Sequence, residues 1–169
     1  VADYSATAAF EVLGYVWDKI DAAGVLNQAD YYLDDLDITL MPFIPAQEQP
    51  ETHNLLGDKP YIVYTVYTEQ DPDLWAILND EITMTIFCPD FNKIMEIGNF
   101  MLDLFRRMDE SARDLNTHIT AASKFTFFST EVGGFIASGE SENEGGRQTA
   151  DLILSYKYSR KLDSSGRYT

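Results

Sequence analysis

Two histidines, one cysteine and a surplus of carboxylates make up the side chains in this sequence that could do chemistry. His53 and His118 are the only histidines, and each lies among polar residues far from the other. No HxH or HxxxH spacing is present, and one cysteine cannot complete a tetrahedral metal site with them. Cys88 alternates with Ile82, Met84 and Ile86. That pattern predicts a small buried hydrophobe, not a thiolate nucleophile. A nucleophile elbow, a dinucleotide-binding glycine run and a phosphate-binding loop ending in Lys-Ser or Lys-Thr are all missing from the sequence. Gly133-Gly134 and Gly145-Gly146 are not followed by a lysine at a helix start.

The carboxylates fall in groups: Asp34, Asp35 and Asp37, then Asp71 and Asp73, then Asp80 and Glu81. Acid–base catalysis needs two carboxyl groups in different, partly buried surroundings. These groups read instead as solvated charge in loops and at strand ends. Residues 30–37 lack the glycine that a calcium loop requires. The sequence therefore predicts a protein that is not an enzyme, with no catalytic residues, no cofactor and no metal. Tyr31, Tyr32, Tyr61, Tyr64, Tyr67, Tyr156 and Tyr158 could stack on bases. Without neighbouring Arg and Lys, core packing and protein contact fit them better.

The bulk composition agrees. The chain has 169 residues and a net charge of −16, from 28 acidic and 12 basic side chains. Such a surface repels a phosphate backbone, although it leaves room for DNA to slide past. No apolar run reaches the roughly 18 residues of a membrane span, and no signal peptide is expected at the N-terminus. A single cysteine gives no internal disulfide. Hydrophobic residues at 45% suffice for one real core.

The elements that would position these residues follow from periodicity. Phe10, Leu13, Trp17 and Ile20 recur at helical spacing, widened by Ala9 and Val16, which predicts a helix over 6–23. Ser5 or Thr7 would cap it and Gly24 would end it. Leu36, Ile38 and Leu40 alternate with polar residues, so 36–43 is expected as a strand closed by Pro42 and Pro45. A long polar loop fills 45–60. The β-branched and aromatic run 61–68 predicts a central strand covered on both faces. Residues 81–88 form a third strand, with Ile82, Met84 and Ile86 inward. Asp90 caps a second helix whose apolar face is Ile94, Ile97, Met101, Leu104, Phe105 and Met108. Phe91, Phe100 and Leu102 broaden that face, so this helix is expected to touch something besides its own sheet. Residues 114–120 read as a polar connection. Strands are expected over 124–130, with a break or bulge at Gly133-Gly134, and over 150–159, with Leu152, Leu154, Tyr156 and Tyr158 on one face. An acidic, glycine-rich loop, 138–148, separates them. The fold class is α+β: a mainly antiparallel sheet of about five strands with two packed helices. One domain spans 1–160, followed by a polar tail, 161–169.

This order of elements resembles a family, the tail terminator (tail completion) proteins of long-tailed bacteriophages. The resemblance lies in a helix leading to a proline-ended strand (38–42) and in KPYIVYTVYTE (59–69). It continues through EITMTIFCPDFNKIMEIGNFMLDLF (81–105), a strand running through a Pro-Asp turn into a long helix, and closes with RQTADLILSYKYSR (147–160). The long loops 45–60 and 131–149 depart from the family pattern. The resemblance implies a structural virion protein of the tail and neck, assembled in the host cytoplasm. It implies a homo-oligomer, a hexameric ring, that caps the tail tube protein and meets a neck or connector protein. DNA would pass through the ring without specific binding, and no membrane is involved. Glu140, Glu142 and Glu144 are the residues expected to face the channel or a neighbouring ring. The alternatives are another head–tail connector protein and an acidic, DNA-mimicking binding module.

Overall fold

A computed structural model describes residues 7–46, 56–74, 76–119, 123–140, 148–162 and 164–167, with the backbone alone for 137–140. Helix α1 (Ala8–Ala22) starts where the Thr7 side chain accepts the Phe10 N–H at 3.2 Å. It ends at Gly24, whose φ of +72° is open to glycine at little cost. Val12, Leu13, Val16 and Ile20 are fully buried, but Phe10 is 56% exposed. The apolar stripe centres on Ala9, Val16 and Ile20, which leaves Phe10 on its flank instead of on the expected face.

The strand expected over 36–43 does not form. Residues 34–37 close a turn with Asp37 at φ 53°, between β1 (Tyr32–Leu33) and β2 (Ile38–Thr39). Leu36 and Ile38 are exposed on this two-stranded hairpin. The chain then passes Pro42 into β3 (Phe43–Pro45), which runs parallel to β4 (Tyr61–Gln70).

The main sheet has five strands in the order β3-β4-β5-β7-β6, where β5 is Leu78–Cys88, β6 is Phe125–Glu140 and β7 is Gln148–Arg160. Every pairing except β3–β4 is antiparallel. The expectation of an α+β, mostly antiparallel sheet holds. The central strands, however, are β5 and β7. Strand β4 is buried at Tyr61, Ile62 and Val63 and exposed over 65–70, because three-residue β3 shields only its start.

Helix α2 (Phe91–Phe105) begins at Asp90, whose side chain accepts the Asn92 N–H at 2.9 Å. Ile94, Ile97, Met101 and Phe105 are fully buried, as their spacing predicts. The helix stops before Met108, which takes φ 47° and is largely exposed. A further helix, α3 (Asp109–His118), replaces the expected polar connection. Its apolar stripe is only Ala112 and Leu115, too thin to announce a helix by periodicity. Helix α2 packs on β5, β6 and β7, α3 on β6, and α1 on both other helices. One face of the sheet thus carries the core, built on Ile82, Met84, Ile86, Leu152, Leu154, Tyr156 and Tyr158. The expected bulge at Gly133-Gly134 is present as a register shift between Gly133 and Phe135. Strands β6 and β7 both run beyond the expected limits.

Candidate functional site

Register places one carboxyl group where the sequence reading did not. Asp80 lies opposite Thr68 on β4 and Tyr156 on β7, so all three point into the helix-covered face. Asp80 is 3% exposed. Its oxygens accept from Thr68 Oγ1 at 2.7 Å, Tyr156 OH at 2.8 Å and Tyr158 OH at 3.1 Å. Burial pushes both tyrosine hydroxyls far above their ordinary range, and the Asp80 charge and hydrogen bonds add to this. They therefore act as neutral donors, and together with Thr68 they tie β4, β5 and β7 through one acceptor. The reading of Asp80 as solvated strand-end charge is corrected: β5 begins at Leu78, so Asp80 is interior, and only Glu81 of the pair is exposed.

Asp71 is also engaged. It accepts the backbone N–H of Asp73 at 3.0 Å and of Leu74 at 3.1 Å, and Lys157 Nζ lies 3.4 Å away. The Asp73 N–H is the largest cause holding its carboxyl below the usual range, and the Leu74 and Lys157 contacts add to it. This side chain closes the turn from β4 to β5.

The opposite face of the sheet is open along much of its length. Two rows cross it: Tyr67, Glu81, Ser155 and Glu131, then Glu69, Asn79, Lys157 and Ser129. They line a shallow depression of about 450 Å³. Tyr67 is 64% exposed, and Ile153 and Ile136 lie exposed further along the same face. Asn79 Oδ1 is buried with no hydrogen-bond partner among the described residues.

A second concavity, of about 730 Å³, runs between α2 and the edge strand β6, with apolar Leu102, Met108 and Val132 and charged Asp103, Arg106 and Glu131 among its lining residues. Elsewhere on β6, Asn116 of α3 donates to the C=O of Phe127 at 2.7 Å and accepts its N–H at 2.8 Å, which blocks that part of the edge.

His118 is not the loop residue the sequence suggested. It ends α3, with Nε2 3.0 Å from Asp18 Oδ2 and its ring edge-on to Tyr15 at 5.1 Å. The pair ties α3 to α1. Cys88 is buried, as expected. Asp34, Asp35 and Asp37 are exposed in the hairpin. Tyr31, Tyr61, Tyr156 and Tyr158 belong to the core, whereas Tyr67 does not. Glu140 ends β6 opposite Gln148. Glu142, Glu144, Gly145, Gly146 and His53 lie outside the described residues. Among the described residues, no three His, Cys, Asp or Glu side chains gather as a metal-binding group, and no helix is long and apolar enough to cross a membrane.

No protein-family model matches the chain, and no curated protein matches it.

Proposed function

We propose that this chain is a structural assembly subunit of the tail terminator type, forming a ring that caps a tail tube and joins it to the neck. The observation that carries this reading is the groove between α2 and β6, where Leu102, Met108 and Val132 leave apolar surface uncovered. On the other flank of the same sheet, Val66 of β4 is exposed. Two different sticky surfaces on opposite flanks are what a head-to-tail ring contact requires. The strand–Pro-Asp–helix run of the resemblance, present as β5 and α2, adds the tail and neck setting. A DNA-mimicking module would gather its carboxylates in one regular array. Exposed acids here occupy the hairpin (Asp34, Asp35), the helices (Glu96, Asp103, Glu110) and the open sheet face (Glu81, Glu131), so assembly is the better reading.

The test is light scattering coupled to size exclusion on the full chain, followed by negative-stain microscopy with and without tail tubes. Closed rings, or caps on tube ends, are expected, and Val132→Asp in the groove should dissolve them. A chain that stays monomeric and ignores tail tubes refutes the proposal.

A further inference from the structure

We infer that the open face of the sheet is the docking surface for a basic protein partner and not for a second copy of this chain. All three helices of the described residues belong to the core on the other side, so nothing among them covers this face over 65–70, 79–83 and 153–157. Exposed apolar side chains, Tyr67, Ile153 and Ile136, sit on it, and four exposed carboxylates surround them: Glu69, Glu81, Glu131 and Asp151. The one cation on these strands' outer face among the described residues, Lys157, is drawn to Asp71 at the strand end. An apolar patch with a rim of one sign is complementary to an apolar patch with a rim of the opposite sign.

A second copy does not fit. Two such faces would oppose four carboxylates to four, and the chain as a whole carries 28 acidic against 12 basic residues. Like charges brought together in a desolvating contact are strongly unfavourable. The inference stands whether or not the chain forms rings, since the ring contact proposed above uses the flanks of the sheet.

The test uses the full chain and a designed β-hairpin peptide with alternating Lys and Val on one face, followed by amide NMR. Shifts confined to residues around Tyr67, Glu81, Glu131 and Ile153 are expected. Glu81→Gln with Glu131→Gln should weaken binding about tenfold, since each exposed charge pair contributes modestly. Asp34→Gln with Asp35→Gln, remote on the hairpin, should leave binding unchanged. Shifts spread over the hairpin and helices, or equal losses in the two double variants, would mean general attraction to an acidic protein and would overturn the inference. So would a self-assembled oligomer that Tyr67→Asp dissolves while Val132→Asp does not. Rings that survive Glu81→Gln with Glu131→Gln separate this inference from the assembly reading, as does peptide binding by a chain that stays monomeric.

Discussion

Asp80 shows what a single buried acceptor does in this fold. Three hydroxyl groups from two neighbouring strands converge on it, at 2.7 to 3.1 Å. Removing the acceptor strands those donors inside the protein, and each buried polar group left without a partner costs about 1–3 kcal/mol. Asp80→Ala is therefore expected to lower the urea midpoint sharply. Asp80→Asn, which keeps one acceptor oxygen and the shape, should cost clearly less. Urea unfolding at matched slope checks both, and equal losses would contradict the hydrogen-bond account. The same cluster sets an alkaline limit. Burial raises the Tyr156 and Tyr158 hydroxyls well above the usual tyrosine value of about 10, so the folded state keeps protons that the unfolded chain releases. Stability from them is fully present below pH 10 and declines as pH rises above it. A melting series from pH 8 to 11, with tyrosinate absorbance followed in parallel, should show these two rings ionising only on unfolding. None of this was legible in the residues alone. Asp80 next to Glu81 looks like solvated charge, and its burial depends on a register with Tyr156, a partner distant in sequence.

Helix α2 is the element the sequence describes best, because its cap and its stripe are both local. Ile94, Ile97, Met101 and Phe105 repeat at helical spacing, and Asp90 supplies the first hydrogen bond. What spacing could not reveal is Gly98. A Cβ placed there would sit 2.2 Å from the Phe135 ring, so β6 approaches the helix because the side chain is absent. Gly98→Ala gains about 1 kcal/mol of helix propensity yet must drive that ring away, which costs about 1–3 kcal/mol. The net effect expected is destabilisation. In a Phe135→Ala background the ring is gone, so the same substitution should become neutral or stabilising. A double-mutant cycle by urea unfolding reads the sign change directly, and additive losses would place the contact elsewhere. Two segments depart from their expected form, one for a local reason and one for a distant one. Residues 36–43 alternate like a strand, but the Asp-rich turn ending at Asp37 and the following Pro42 divide them into two short pieces. The α3 segment carries two buried apolar residues, beside Ser111, and it docks on β6 through the Asn116 hydrogen bonds to Phe127, which no window of sequence contains.

At the scale of the whole molecule, a net charge of −16 acts on every association this chain makes. Copies of it repel one another at long range, and salt shortens that reach from about 30 Å at 0.01 M to about 8 Å at physiological strength. A self-contact that buries Leu102, Met108 and Val132 of the α2–β6 groove should therefore strengthen as salt is added, since screening removes the net repulsion while leaving apolar burial intact. A contact between the acidic sheet face and a basic partner should do the reverse, because screening removes attraction. The two surfaces thus predict opposite salt slopes in one protein. Sedimentation velocity of the full chain across a salt series, alone and with the Lys/Val hairpin peptide, measures both. Self-association that weakens with salt would assign the copy–copy contact to charge pairs and would count against the groove. The face's meaning was not legible in the sequence for the same reason that the slopes can reveal it: alternate residues such as Tyr67 and Glu69 become a surface only once β5, β7 and β6 set Glu81, Lys157 and Glu131 beside them, and a surface acquires its function from what it is charged to meet.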